Sequence, residues 1–176
     1  MADNQADIDI VTYSSAASNP AEFDKIYQTF VQPVFRYLLS RVQNRDEAEE
    51  LTAQTFLAAL ERLPGYRHNG HFPAWLFSIV RNKAADHFRR LHRRPEVALA
   101  DTVPAEQVAS DHRLPELAAL LDKLPTNEQE LLRLRFVAEL SFAEIAALQG
   151  RNLDAVKKST YRLLDRLHAQ LEPDHE

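Results

Sequence analysis

Only three glycines, Gly65, Gly70 and Gly150, occur in a chain of 176 residues. Glycine is the residue that enters the left-handed backbone region at little cost, so a chain this poor in it has few tight turns available. No alternating apolar pattern persists, and apolar residues recur instead at three- and four-residue spacing. That combination restricts the chain to an all-α fold. Phe23, Ile26, Tyr27, Phe30, Val34, Phe35 and Leu38 mark one amphipathic helix. Leu51, Thr55, Phe56, Ala59 and Leu63 mark a second, which stops at Pro64-Gly65, and Trp75, Leu76, Ile79, Val80, Ala84 and Phe88 mark a third. These stripes are core positions, and function is sought on the faces opposite them. Helix starts are legible as well. Asn19-Pro20-Ala21-Glu22 offers an N-cap, a proline at the first helical position and a returning glutamate, and Asp46 with Glu49, Thr126 with Gln129 and Ser141 with Glu144 repeat the cap-and-return pattern.

The periodicity fails from about Arg94 to His112, where Pro95, Pro104, the nearby Pro115 and scattered acids read as a linker. The expected architecture is two small helical domains joined by a flexible linker: a disordered tail over 1–19, a first domain over 20–94, the linker over 95–113, and a second domain over 114–172. An apolar content of 45% supports a real core. Cysteine is absent, which excludes disulfides and thiolate metal sites. The first 19 residues carry neither a basic nor an apolar signal region, and no stretch approaches the roughly 20 apolar residues of a membrane span. The chain therefore reads as cytoplasmic, with no membrane segment.

Charge is unevenly placed. The formal net charge is −5, yet from Tyr66 to Arg94 seven bases, Arg67, Arg81, Lys83, Arg89, Arg90, Arg93 and Arg94, face the single acid Asp86. Tyr66, Phe72, Trp75, Phe77 and Phe88 interleave with them. Cations beside aromatic faces suit phosphates and stacked, unpaired bases. An acidic body with one basic island points to a local contact with nucleic acid that needs help from elsewhere.

A second constellation runs from Leu140 to Lys158. A capped short helix ends at Gly150, and Asn152 then caps a longer helix whose Val156, Thr160, Leu163, Leu164 and Leu167 face inward. Lys157, Lys158, Tyr161 and Arg162 lie on the opposite face, as on a recognition helix in a major groove. A helical hairpin with a solvated basic face has the same pattern, so this motif alone leaves both readings open.

Phe72 through Arg90 closely resembles the promoter-melting segment of bacterial sigma factors of the extracytoplasmic-function type, within the sigma-70 family. Asp46 through Leu57 resembles the helix with which that family grips the polymerase clamp, and Leu124-Pro125 through Leu167 resembles its −35-reading domain. The resemblance covers nearly everything after residue 22 and includes the short linker. It implies a factor that binds core RNA polymerase, directs it to promoters through −35 and −10 elements, and assists melting. The implied polymerase contacts are the clamp helices of the β′ subunit and the flap of the β subunit. Promoter DNA is the second partner, and a dedicated anti-sigma protein is a further candidate. On the clamp helix the resemblance selects Glu47, Glu50, Leu51, Gln54 and Thr55. In the family the loop after that helix forms a pocket for a flipped-out −10 base, which here corresponds to Tyr66, Arg67, His68, Asn69 and Phe72. Asn82 falls at the base-reading position, with Arg81, Lys83, Arg89 and Arg90 holding phosphates. For the −35 element the implied residues are Arg135, Asn152, Lys157, Lys158, Tyr161 and Arg162. Trp75, on the apolar stripe, reads as core rather than as a stacking residue.

The chain departs from the family at two places. Glu50 is followed by Ala53 and Gln54 where an acid and a Gln-Glu pair are usual, which removes a charge and an amide. Lys157-Lys158-Ser159 replaces the usual Lys-Ser-Arg, so the family's −35 preference does not carry over. The linker, with Glu96, Asp101, Glu106 and Asp111 against Arg113, is either a solvated tether or a segment that threads the RNA exit path. No cofactor or metal is implied: His68, His71, His87 and His92 lack a cysteine or a convincing carboxylate set, and Asp86 and His87 point about 100° apart on one helix. With no phosphate loop or nucleophile elbow, the chain reads as no enzyme. Two alternatives remain at this level, a stand-alone helix-turn-helix regulator and a protein-interaction module that occupies polymerase without initiating.

Overall fold

The computed structural model describes residues 20–67, 71–93 and 113–171, and no strand occurs among the described residues. The tail 1–19 with Asn19, the loop residues His68, Asn69 and Gly70, and linker residues 94–112 lie outside the described residues. The chain divides into two compact units, Met1–Val103 and Pro104–Glu176.

The first unit is built from α1 (Pro20–Val42), α2 (Arg45–Arg62), a single 3₁₀ turn at Leu63–Gly65, and α3 (Phe72–Arg93). Their apolar stripes meet in one core of Ile26, Phe30, Val34, Tyr37 and Leu38 from α1, Leu51, Phe56 and Ala59 from α2, and Leu76, Phe77, Ile79 and Val80 from α3. Tyr37 packs edge-on against Phe77, centroids 5.6 Å apart and planes at 87°. Its hydroxyl accepts from Arg41 Nη1 at 3.2 Å, so the buried phenol keeps a partner. Thr52 and Thr55 are buried too, and each hydroxyl donates to the carbonyl four residues back, Ala48 and Leu51 respectively. Pro33 sits inside α1 and removes one intrahelical bond. Burial of the stripe around it outweighs that loss of about 3 kcal/mol, since each fully buried apolar side chain contributes about 1.5 to 3 kcal/mol.

Two of the expected caps move. Asn44, not Asp46, caps α2: its side chain accepts from the Glu47 amide at 3.0 Å, which leaves Asp46 in the first turn. Thr126 caps nothing; it is the first residue of its helix, preceded by Pro125. Gln129 reaches back instead to the Leu124 carbonyl at 3.0 Å and the Asp122 carbonyl at 3.3 Å, closing the preceding turn. A proline with ψ 145° already sets the entry angle, so no side-chain cap is needed to start that helix.

The second unit comprises α4 (Arg113–Asp122), α5 (Thr126–Leu132) continuing into a π-type turn at Arg133–Val137, α6 (Phe142–Gln149) and α7 (Leu153–Leu171). Pro115, expected in the linker, lies in the first turn of α4, where a missing amide costs no helical bond. The π turn is closed by the Ala138 amide on the Arg133 carbonyl at 2.9 Å, and Glu139 follows at φ 60°. Ser141 and Glu144 form a complete capping box at the start of α6. Gly150 ends it at φ 62°, the left-handed conformation that only glycine adopts freely. Asn152 then accepts from the Asp154 amide at 2.8 Å and starts α7. Val156, Thr160, Leu163 and Leu167 are buried, as are Leu131, Leu134, Leu140 and Ile145 of the same unit, while Leu164 is only half-buried.

Two substitutions test this local reading by chemical denaturation. Asn44→Ala costs about 1 kcal/mol, and Asp46→Ala no more than about 0.5 kcal/mol. Gly150→Ala costs about 1 to 2 kcal/mol although a Cβ there meets open space, because the penalty lies in the backbone alone.

Candidate nucleic-acid interface

Helix α3 has two faces with different chemistry. Its apolar face closes the core, and its other side presents Asn82, Arg89, Arg90 and Arg93 exposed, with Arg81 and Lys83 half-buried. Spacings of four, three and four residues put Asn82, Asp86, Arg89 and Arg93 along one stripe, so the amide sits at one end of a row of charge. Asp86 pairs with Arg89 along it. Between α2 and α3 an open groove of about 390 Å³ is lined by Gln54, Lys83, Asp86, Arg89, Arg90 and Arg93, four cations to one acid. Such a groove suits a phosphate backbone. Arg41 of α1 lies over the Phe88 ring at 5.6 Å and holds the basic end of α3 to the body.

Upstream of α3, Tyr66, Phe72 and Trp75 form one aromatic cluster, with centroids 4.9 Å apart for Tyr66–Trp75, 5.4 Å for Tyr66–Phe72 and 5.3 Å for Phe72–Trp75. Phe72 is 2% exposed and also packs on Phe30. That corrects its expected place in a base pocket: at this burial its ring is not accessible to a base. Tyr66 and Trp75 are half-buried, and Arg67 is exposed. His68 and Asn69, assigned to the same pocket, lie outside the described residues. No group of three His, Asp or Glu placed to hold a metal occurs among the described residues.

The outer face of α2 is also different from the expected one. Leu51 and Thr55 are buried at 2% and 0% exposure, because their spacing from Ala48, Phe56 and Ala59 turns them into the core. Neither can touch a partner. Glu47 is drawn toward α3, its Oε2 3.1 Å from His87 Nε2, a close contact misaligned for a hydrogen bond. What remains outside is Glu50, which accepts from Gln54 Nε2 at 2.8 Å, followed by Leu57. Leu57, 60% exposed, and Leu60 were not singled out from the sequence. The signal was present, since Glu50, Gln54, Leu57 and Glu61 fall at four-, three- and four-residue spacing.

In the second unit Lys157, Lys158, Tyr161 and Arg162 are all exposed on α7, opposite its buried stripe. Arg151, another residue not singled out, donates to Gln149 Oε1 at 3.1 Å and Ser159 Oγ at 2.9 Å, which ties the turn to the second helix of the motif. Arg135 is half-buried and engaged: Nη1 donates to the Leu140 carbonyl at 2.9 Å, and the guanidinium lies 4.9 Å from the Phe142 centroid. Asn152 is exposed but its side chain serves as the cap of α7.

Residues 26–94 match the family model described as sigma-70 region 2, and residues 114–167 match sigma-70 region 4. The chain is 40% identical over 161 residues to the ECF RNA polymerase sigma factor BldN of Streptomyces coelicolor, across 86% of this chain and 61% of BldN's length. It is 31% identical over 157 residues to the ECF RNA polymerase sigma factor SigM of Bacillus subtilis, across 83% of this chain and 93% of SigM. The chain belongs to the ECF sigma factors of the sigma-70 family. Promoter-directed transcription initiation is the activity that goes with this membership, and the stand-alone regulator is not favoured. Among solved structures, CnrH in complex with the cytosolic domain of CnrY matches with a TM-score of 0.67 and 26% identity, over 93% of this chain and 97% of that one. The sigma factor RpoE of Bartonella quintana, in complex with the anti-sigma factor NepR, shares the fold with a TM-score of 0.61 at 24% identity, over 88% and 99%.

In this ECF sigma factor, buried and exposed residues of one motif separate cleanly in denaturation experiments. Leu51→Ala and Phe72→Ala lose about 2 to 5 kcal/mol of stability. Glu50→Lys and Asn82→Ala, on open faces, stay within about 0.5 kcal/mol of the parent.

Proposed function

We propose that the first unit carries core-polymerase binding and −10 recognition and the second carries −35 recognition. The single observation behind this reading is the pairing, in an acidic chain, of two separate exposed basic faces of different design. One, on α3, lies next to an aromatic cluster and suits unpaired strand; the other, on α7, is a recognition helix suited to duplex. Asn82, whose amide both donates and accepts, reads a −10 base, while Lys83, Arg89 and Arg90 hold phosphates with Arg81 beside them. Tyr66 and Arg67 form the described part of the pocket that receives a flipped base, with the buried Phe72 ring supporting Tyr66 from the core side. Lys157, Lys158, Tyr161 and Arg162 face the −35 element. Glu50, Gln54 and Leu57 form the surface offered to the β′ clamp helices, and the second unit meets the β flap.

The complex of RpoE with the anti-sigma factor NepR supports a similar partner for this chain, one that covers these faces until release. No helix of the described residues is long and apolar enough to cross a membrane, and the place of action is that of the polymerase, the cytoplasm. Catalysis belongs to the polymerase, and this chain needs no cofactor.

From Arg151 to Arg166 the second unit has five bases and two acids, a small electrostatic footprint for a protein that must find duplex alone. The isolated chain should bind promoter duplex weakly, and core polymerase should convert this to tight, sequence-specific binding with −10 melting. Anisotropy titration at physiological salt measures it; nanomolar, sequence-specific binding by the isolated chain, unaffected by polymerase, would overturn the reading. Glu50→Lys should lower core affinity in a pull-down while the protein stays folded. Asn82→Ala should relax −10 preference by the equivalent of about 1 to 3 kcal/mol in a promoter library, with the −35 preference intact.

A further inference from the structure

Three side chains from three elements of the second unit stack in series. Arg135, in the π-type turn, is held at one edge by the Leu140 carbonyl at 2.9 Å and presents its guanidinium to the Phe142 ring at 4.9 Å. Phe142 opens α6, and its ring meets that of Tyr161 on α7 at 5.8 Å and 55°. Tyr161 is 55% exposed and projects from the same face as Lys157, Lys158 and Arg162. An exposed tyrosine on a helix normally divides its time between two χ1 wells. Here its ring has a neighbour in Phe142, and that ring is in turn held by Arg135.

We propose that Arg135 is a positioning residue, acting through Phe142 to hold the Tyr161 ring in the orientation that reads the −35 element, and not itself a DNA contact. The proposal rests on the −35 reading of α7 given above. Its physical basis is the shape of the guanidinium, a planar group that lies over a ring while an N–H in its own plane reaches a carbonyl. A lysine ammonium carries the same charge but cannot satisfy both partners. This guanidinium already has its Nη1 committed to the Leu140 carbonyl and sits over the Phe142 ring, an engagement that a group serving only as a phosphate contact would not need.

Charge and shape are therefore separable by experiment. Full-length parent, Arg135→Lys, Phe142→Leu, Tyr161→Ala and the double variant Arg135→Lys/Tyr161→Ala would be assayed with core polymerase on a library varied through the −35 element, with thermal melts of each protein and the salt dependence of binding. Tyr161→Ala is expected to lose about five- to tenfold discrimination at its base position. Arg135→Lys should relax the same position and leave the salt slope unchanged, because no phosphate contact is lost. Phe142→Leu keeps burial but lacks the ring face, and it should relax that position too, so the test survives if Arg135→Lys folds poorly. In the Tyr161→Ala background Arg135→Lys should have no further effect on preference. Retention of the parental −35 preference by folded Arg135→Lys and Phe142→Leu, with Tyr161→Ala still relaxed, overturns the relay alone. If Tyr161→Ala itself leaves −35 preference unchanged, the underlying reading of α7 falls and the relay with it.

Discussion

One helix has to satisfy two incompatible solvents. Helix α3 buries Leu76, Phe77, Ile79, Val80 and Ala84 against α1 and α2, and within the same 22 residues it exposes Asn82, Arg89, Arg90 and Arg93. The burial is what makes the display useful. The five lysines and arginines of this helix, Arg81, Lys83, Arg89, Arg90 and Arg93, repel one another, and on an unanchored helix their positions would spread with every rotamer and every fraying turn. Anchored by the Tyr37–Phe77 contact and by Arg41 over Phe88, the helix holds its cations at a set spacing in water beside a low-dielectric core. Every proposed contact of the first unit depends on that anchoring, including the α2 face, whose rotation is set by Leu51, Thr55 and Phe56 turning inward.

The second unit meets the same demand by a different device. The direction of α7 is set by the turn that precedes it. Gly150 in the left-handed region, Asn152 as cap and Arg151 bridging Gln149 to Ser159 together define how α7 leaves α6. The Ser141–Glu144 capping box does the same at the start of α6. Glu128 and Arg166 add an ion pair between α5 and α7, which is exposed and contributes little on its own. Orientation here comes from backbone geometry and local hydrogen bonds, in keeping with a unit too small to bury a large core.

The sequence made the helices, the helix-turn-helix and the basic island legible because each rests on near neighbours. Apolar period, glycine at a helix end and a serine three residues before a glutamate are all relations within about one turn. Misplacements arose where two local signals competed. Asn44 and Asp46 are both good cap residues two positions apart, and the choice of Asn44 follows from where α1 ends, with Gln43 at φ 55°. Pro115 resembles linker punctuation and helix start equally well. In the sequence Phe72, Leu51 and Thr55 read as partner contacts because they fall inside a functional motif, yet a motif records which helix is used, not which of its sides.

Sequence by itself therefore determined the all-α class, the elements and the placement of positive charge, since these depend on residue type and spacing along the chain. Tertiary structure alone decided which side of each functional helix meets solvent. Leu51 and Glu50 are adjacent in sequence and differ by about 100° around the helix, so only the packing of α2 on α1 and α3 separates a core leucine from an exposed carboxylate. It also decided what Arg135 does. Its charge is visible in the sequence, but the carbonyl of Leu140 and the ring of Phe142 become its partners only once the π-type turn folds back onto the start of α6. A side chain's composition sets what it can bind, and the fold selects the partner by bringing it within reach.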